Sequence, residues 1–251
     1  SRFSIMATKI TPRKSRQPVK KEPTSFMSKL TRFLFKELLW FFGLSLFFFV
    51  FFKFVPVPFT PLMVIRAIEN KTSGKEVFFS HDWEPIENIS MNLQKAVIAS
   101  EDGTFLKHNG FDFVAMQKAY KSNERGRRIK GGSTISQQTA KNVFLWQGRS
   151  YLRKGLEAYF TVLIEIIWGK ERIMEVYLNS IEMGDGVYGV EAAAEHWYGK
   201  KAADLTKIEA AGIAAILPNP RKFKASNSSA YINRRKGRIM KYMRYVGKLD
   251  Y

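Results

Sequence analysis

Two acidic side chains in this 251-residue sequence stand where they could move a proton or hold cations. Glu101 directly follows a predicted helix, Asn92–Ser100, at the end where the helix dipole disfavours a negative charge, and this position suits a general base. Glu157 lies one helical turn after Arg153, so the two side chains can pair. Each acid also has a simpler interpretation. Glu101 could belong to a solvated acidic loop in which Asp112 caps a helix, and Glu157 could form an ordinary surface ion pair.

A polar segment that begins with two glycines lies between these acids. Gly131 and Gly132 precede a predicted helix in which Thr134, Gln138 and Lys141 share one face, at spacings of four and three residues. A glycine turn, free amides at a helix N-terminus and a lysine are typical of a phosphate-binding cradle. The residue order is not that of a P-loop, so the segment predicts an anion site without nucleotide binding.

Several other chemistries are excluded by residue type. The sequence has no Cys, which excludes disulfides, thiolate metal sites and cysteine nucleophiles. The three histidines, His81, His108 and His196, do not have the spacing of a metal-binding motif, so we expect no metal site built from histidines. Neither a G-x-S-x-G nor an S-x-x-K motif supports a serine acyl-enzyme.

The charge balance and one apolar stretch indicate a membrane-attached chain. There are 41 Lys and Arg against 22 Asp and Glu, a net charge of +19, which favours an anionic partner. Leu38–Phe52 has no charged residue, and with its flanking phenylalanines it reaches membrane-spanning length. No small-residue cleavage site follows it and it has no polar face. It is therefore predicted to be an uncleaved anchor and not a signal peptide or a core helix.

Three segments follow from this pattern: a basic cytoplasmic tail over residues 1–32, a transmembrane anchor over 33–55 and an outer domain over 56–251. Residues 1–37 contain ten Lys and Arg against two Glu, which predicts a cytoplasmic N-terminus. We therefore expect a single-pass protein of the cytoplasmic (inner) membrane whose outer domain is periplasmic or extracellular. Nucleic acid is not an expected partner on that side.

The outer domain has mainly helical periodicity. Thr60, followed by a proline, predicts the start of a helix that runs to about Asn70. Capping-box signatures begin at Thr134 and Thr206, and Glu76–Ser80 is the only predicted strand. No repeat or βαβ alternation is present, so we predict a mainly α fold. The other predicted helices are Asn92–Ser100, Asp112–Lys121, Thr134–Phe144, Tyr151–Trp168, Lys170–Asn179, Gly189–Trp197, Thr206–Leu217 and Ser229–Tyr245.

The order of the unusual segments resembles the motif order of glycosyltransferase family 51, the peptidoglycan glycosyltransferases that polymerise lipid II. The resemblance covers about residues 61–244 and implies a lysozyme-like helical glycosyltransferase domain after the anchor. The segments that carry it are EDGTFLKHNGFD (101–112), GGSTISQQTAKN (131–142), RKGLE (153–157), KERIMEVYLN (170–179), GVEAAAEHWYGK (189–200) and EAAGIAAILPNP (209–220).

The resemblance implies a catalytic role for each matching residue. Glu101 becomes the general base that takes the proton of the acceptor GlcNAc 4-hydroxyl in a single inverting displacement. Glu157 becomes the second catalytic carboxylate, which orients Arg153, Lys154 or a divalent ion and does not act as an acid. Lys141 and Arg153 match phosphate contacts. Ser133, Thr134, Gln138, Asn142 and Lys154 match positions in the donor groove, and Asp102 and His108 match orienting residues.

The resemblance also implies substrates and partners. The lipid-pyrophosphate-linked glycan chain would be transferred onto lipid II, with β-1,4 bonds formed and undecaprenyl pyrophosphate released. The expected cofactor is Mg²⁺ or Mn²⁺ at the substrate pyrophosphate, with no organic cofactor, and the expected partners are the membrane and cell-division or elongation proteins. Because no further domain follows Tyr251, we expect no transpeptidase activity.

Two other functions stay open at this point. A lytic transglycosylase or lysozyme would share the helical fold and an essential Glu, although cleavage of a glycan needs no cations for a leaving pyrophosphate. A membrane-anchored basic scaffold without catalytic activity would be unaffected by the substitution Glu101→Gln.

Overall fold

The computed structural model describes residues 26–74, 78–124, 131–148 and 150–251. Most of the predicted basic tail, residues 1–25, lies outside this part of the chain. The protein divides into two compact units, residues 1–44 and 45–251, and the boundary falls within one long helix.

That helix, α1, spans Phe26–Phe54, so it begins before the predicted anchor and ends within it. It is 29 residues long and, among the described residues, the one helix that is long and apolar enough to cross a membrane. Its last turns belong to the second unit. Phe49 is buried there against Phe144, Phe160 and Trp168, and the Trp168 indole donates a hydrogen bond to the Phe49 carbonyl at 2.7 Å.

The rest of the second unit is mainly α, as predicted. Thr60 caps the first of its helices, and the two predicted capping boxes are present at Thr134 and Thr206. Its helices are α2 Pro61–Thr72, α3 Met91–Glu101, α4 Phe113–Glu124, α5 Ile135–Phe144, α6 Tyr151–Ile167, α7 Gly169–Ser180, α8 Val190–Tyr198, α9 Lys207–Ile216 and α10 Ala230–Tyr242.

The prediction of a single strand, Glu76–Ser80, is wrong. Residues 76 and 77 lie outside the described residues, and Ser80 begins the first of the described strands. The described strands are β1 Ser80–His81, β2 Glu182–Gly184 and β3 Val187–Tyr188. They form a small sheet in the order β1-β3-β2, in which β1 is parallel and β2 antiparallel to β3. The turn between β2 and β3 requires Gly186, because its φ is +75° and an added Cβ would lie 2.3 Å from the Phe78 carbonyl oxygen.

Two groups of packed helices carry the predicted site residues. In one group, α9 packs against both α3 and α10. This packing is close because α9 presents buried alanines in place of larger side chains. In the other group, α5 packs against α6 and α7. The first group carries Glu101 at the C-terminus of α3, and the second carries the predicted cations on α5 and α6.

Candidate active site

The carboxylate of Asp102 connects the segments 101–112 and 131–142. Its Oδ2 accepts a hydrogen bond from the backbone amide of Ile135 at 3.0 Å, at the first residue of α5. The His108 Nε2 lies 3.0 Å from each oxygen of the same carboxylate. Asp102 therefore fixes the end of α3, which carries Glu101, to the start of α5.

Thr134 makes a second connection at the start of α5. Its hydroxyl donates to the Gly110 carbonyl at 2.6 Å and accepts from the Gln137 amide at 3.2 Å. The Gln137 side chain in turn accepts from the Thr134 amide. The amides of Ile135 and Gln137 therefore already have partners, so the predicted phosphate cradle of free helix amides is wrong for these two positions. An anion would instead be bound by the cations near Glu157.

Glu101 makes one short and two longer side-chain contacts. Its Oε1 accepts a hydrogen bond from the Ser100 hydroxyl at 2.8 Å and lies 3.7 Å from Arg235 Nη2. Its Oε2 accepts from Gln138 Nε2 at 3.4 Å. Gln138 is oriented by the hydroxyl of the buried Tyr177, which donates to Gln138 Oε1 at 3.3 Å. The glutamate therefore has defined neighbours while part of its carboxylate stays accessible.

Tyr177 is a hydrogen-bond donor in this arrangement because it stays protonated. Burial, and after it the negative charges of Glu101 and Asp102, raises the pKa of Tyr177 well above its ordinary value. Because the phenol of Tyr177 is neutral, its hydroxyl keeps the proton that it donates to Gln138.

Glu157 lies in a cluster of three cations. Arg153 Nη1 donates to Glu157 Oε2 at 2.8 Å, and Lys154 Nζ pairs with the other oxygen. Both Arg153 and Glu157 are buried, whereas Lys154 is exposed. Burial lowers the pKa of Lys141, the Glu157 charge opposes this shift, and the charges of Arg153 and Lys154 add to it. The cluster has more positive than negative charge and suits a further anion.

Glu101 and the cation cluster line two neighbouring cavities, and Ser133 lines both. The larger cavity has a volume of about 350 Å³ and the smaller one about 90 Å³. The larger cavity contains six of the predicted site residues: Ser133, Gln138, Lys141, Arg153, Lys154 and Glu157. The smaller cavity contains Glu101 and Thr134. Asn142 is buried in α5 and lines neither cavity.

The structure adds Arg235 and Ser100 to the residues that surround Glu101. Sequence reasoning missed Arg235, although its position contains a signal. It follows the buried Ile232 by three residues and precedes the buried Ile239 by four, so an arginine occupies the inward face of an amphipathic helix. An inward cation needs a partner.

The predicted metal at the substrate pyrophosphate has no ready protein site. Within the described ranges, no group of three or more His, Cys, Asp and Glu side chains could hold a metal ion. Glu157, the acid nearest to the cations, already has one cation at each oxygen. These residues therefore do not fit a protein-bound metal.

A helical domain with an accessible carboxylate beside a cavity of three cations has the features of a group-transfer enzyme that acts on a phosphate-bearing donor. Comparison with known proteins identifies the family. A family profile described as Transglycosylase matches residues 70–244. The chain belongs to this transglycosylase family and is an enzyme.

Curated relatives cover most of the chain. The biosynthetic peptidoglycan transglycosylase of Caulobacter vibrioides is 57% identical over 192 residues, which are 76% of this chain and 81% of the relative. The protein of the same name from Pseudomonas syringae pv. syringae is 50% identical over 225 residues, 90% of this chain and 95% of the relative. That of Bdellovibrio bacteriovorus is 53% identical over 211 residues, 84% of each chain.

Proposed function

We propose that this enzyme polymerises the glycan strands of peptidoglycan by transferring a lipid-pyrophosphate-linked chain onto lipid II. The observation that carries the proposal is the division of the site. Glu101 lies at the smaller cavity, and Lys141, Arg153 and Lys154 line the adjoining larger one. A base on one side and cations on the other match an acceptor hydroxyl that must lose a proton and a donor whose leaving group is a pyrophosphate.

The reaction is a single displacement at the anomeric carbon of the donor sugar. The 4-hydroxyl oxygen of the acceptor GlcNAc forms the new bond while the bond from the anomeric carbon to the pyrophosphate oxygen breaks. The hydroxyl proton goes to Glu101, and the bonding electron pair leaves with undecaprenyl pyrophosphate. Attack opposite the leaving group inverts the α-linked donor into a β-1,4 product.

The cations stabilise charge that grows as the pyrophosphate departs. Lys141 and Arg153 would contact its oxygens, and Lys154 would reach it from the exposed edge. Fixed cations that meet developing charge contribute most in the transition state. Glu157 keeps Arg153 and Lys154 in place and does not itself move a proton, because both of its oxygens are already paired.

The remaining predicted residues act as supports for the substrate. Ser133 lies where the two cavities meet and would contact the donor near the reacting bond. Gln138 connects Glu101 to the larger cavity. Thr134 and Asn142 would act through the position of α5. Mg²⁺ or Mn²⁺, where it accompanies the substrate, would be carried by the pyrophosphate oxygens, and no step above depends on it.

The single apolar helix supports attachment to the cytoplasmic membrane, where the lipid-linked substrates reside. The positive charge of residues 1–37 favours a cytoplasmic N-terminus and an outward-facing domain. Cell-division or elongation proteins are the partners that we propose for an enzyme in this position.

A glycan-cleaving enzyme is the second candidate, and the cations argue against it. A hydrolase or lytic enzyme protonates a sugar oxygen with a carboxylic acid. It has no pyrophosphate to stabilise, so the cluster of Lys141, Arg153 and Lys154 would have no use in its chemistry.

The test uses the purified full-length chain in detergent with labelled lipid II and a divalent cation. We expect polymer ladders from the wild type and a fall in rate of about 10²- to 10⁴-fold for Glu101→Gln, the range that a general base contributes. The matched control is Glu87→Gln, which makes the same change at an exposed glutamate and should leave the ladders unchanged.

Two outcomes would contradict the proposal. Folded wild-type protein that yields no polymer would favour a scaffold, and shortening of preformed glycan strands would favour the lytic reaction.

A further inference from the structure

Arg235 brings a positive charge from α10 to the proposed base. Its Nη2 lies 3.7 Å from Glu101 Oε1 and 3.4 Å from the hydroxyl oxygen of Ser100. Ser100 in turn donates to the same glutamate oxygen at 2.8 Å. The arginine and the serine therefore act on one oxygen of Glu101, and the other oxygen is left to Gln138.

The position of Arg235 on its helix is unlike that of Arg234 and Arg238. Arg234 and Arg238 are exposed, whereas Arg235 lies on the face that buries Ile232 and Ile239. Its side chain is 26% exposed, and its Nε is buried without a hydrogen-bond partner among the described residues. Turning a guanidinium inward costs free energy unless a charge partner compensates. Within the described part of the chain, the one carboxylate within ion-pair distance is that of Glu101.

The other groups near Glu101 supply no positive charge. Asp102 is adjacent and negative. Tyr177, on α7, stays neutral because burial and the two carboxylates raise its pKa well above the ordinary value. Gln138 and Ser100 are neutral hydrogen-bond donors to the carboxylate, and the C-terminal end of α3 has a negative dipole. Within the described part of the chain, Arg235 on α10 is therefore the cation that lies against this carboxylate.

We infer that Arg235 is a positioning residue for the transfer reaction, which holds the carboxylate of Glu101 in the orientation that faces the acceptor hydroxyl. The inference rests on the proposed role of Glu101 as the base. The guanidinium lies 3.7 Å from Glu101 Oε1 and also contacts Ser100, so it fixes one oxygen of the carboxylate from the side of α10. The other oxygen is held by Gln138, at the larger cavity.

The test compares Arg235→Gln, Arg235→Lys and the matched control Arg238→Gln, which removes an equal charge from an exposed position on the same helix. Lipid II polymerisation by the full-length chain gives kcat and KM. For R235Q we expect kcat to fall about tenfold, a part of what a positioned base contributes, with little change in KM. R235K should recover part of kcat, and R238Q should match the wild type.

The possible outcomes separate this inference from the proposed function. It is overturned if R235Q raises KM or lowers the melting temperature without lowering kcat, or if R238Q has the same effect on kcat. R235K keeps the charge, so its activity tests the inference even where R235Q folds poorly. Polymer formation by Glu101→Gln in the same series would instead overturn the assignment of the base, and the role of Arg235 with it.

Discussion

The two acidic side chains of the site lie in opposite surroundings. Glu157 is buried, and each of its oxygens pairs with a cation, Arg153 at 2.8 Å and Lys154 on the other side. Glu101 is more accessible, and its charged partner, Arg235, lies at the longer distance of 3.7 Å. A carboxylate whose two oxygens both pair with cations has no free position for a substrate group, whereas a carboxylate with one distant cation can still contact one.

This difference assigns separate tasks to two residues of the same type. Glu157 offsets part of the charge of a buried cation cluster and so allows the cations to lie together before the substrate arrives. Glu101, in the proposed function, takes a proton from the substrate. Substitution of Glu157 should therefore lower both stability and activity, whereas substitution of Glu101 should lower the rate with little effect on stability.

The largest stability effect should come from Glu157→Gln. Gln cannot balance the buried Arg153, and removal of one partner of a buried ion pair costs about 3–5 kcal/mol. We expect a clear fall in the free energy of unfolding of the full-length chain, measured by circular dichroism in detergent, with loss of polymerisation. Glu101→Gln should unfold close to the wild-type midpoint.

A double substitution separates charge from chemistry at this position. Replacement of Arg153 and Glu157 together by Met removes both buried charges, and apolar replacement of a whole buried pair is often neutral for stability. This variant should regain much of the stability lost in E157Q yet stay inactive, because the pyrophosphate contact of Arg153 is gone. Wild-type stability in an inactive E157Q would give Glu157 a direct part in the reaction.

Lys141→Met should lower activity, as E157Q does, but should raise stability where E157Q lowers it. Burial lowers the pKa of Lys141 from its ordinary value of 10.5, so the charged lysine destabilises the free fold. Met keeps most of the volume and has no charge. Loss of one cation at the leaving group should lower the rate about 10²-fold in the lipid II assay.

The pH dependence tests the sign of this effect. The penalty of charged Lys141 is fully present below its pKa in the folded protein, and it disappears as the pH rises from there toward 10.5, the ordinary lysine value. The stability advantage of K141M should therefore be largest near neutral pH and disappear in alkaline solution. An advantage that does not change with pH would mean that packing, and not charge, is its cause.

Local sequence signals predicted much of the fold and part of the site. The capping boxes at Thr134 and Thr206 and the cap at Thr60 lie where the short-range patterns put them. The i,i+4 spacing of Arg153 and Glu157 correctly predicted that they pair. These features depend on residues within one helical turn, so the sequence alone contains the necessary information.

Features that depend on distant residues were not predictable. The contact between Arg235 and Glu101 joins residues that are far apart in the chain. The bond from the Ile135 amide to Asp102 fills a helix terminus that appeared free for phosphate. The strands β2 and β3 have three and two residues, too few to show an alternating pattern. The partners in these contacts are set by tertiary packing. The inward position of Arg235 on α10 indicates that it has a partner, but no local pattern shows which residue that partner is.

The smallest effect concerns α5, the helix that both sides of the site share. Its cap, Thr134, also donates to the Gly110 carbonyl, whereas Thr206 forms the same kind of capping box on α9 and lines neither cavity. Thr134→Ala and Thr206→Ala should each lower the unfolding free energy by about 1 kcal/mol, as loss of an N-cap does.

The two caps should differ in their effect on the rate. T134A loosens the start of the helix that carries Gln138 and Lys141, so polymerisation should fall severalfold, and Thr134→Ser should restore it because a serine hydroxyl can cap equally well. T206A should keep the wild-type rate. Equal rates in the two alanine variants would show that the geometry between the base and the cations does not depend on the start of α5. The connection from Asp102 to Ile135 would then be the contact that holds the two sides of the site together.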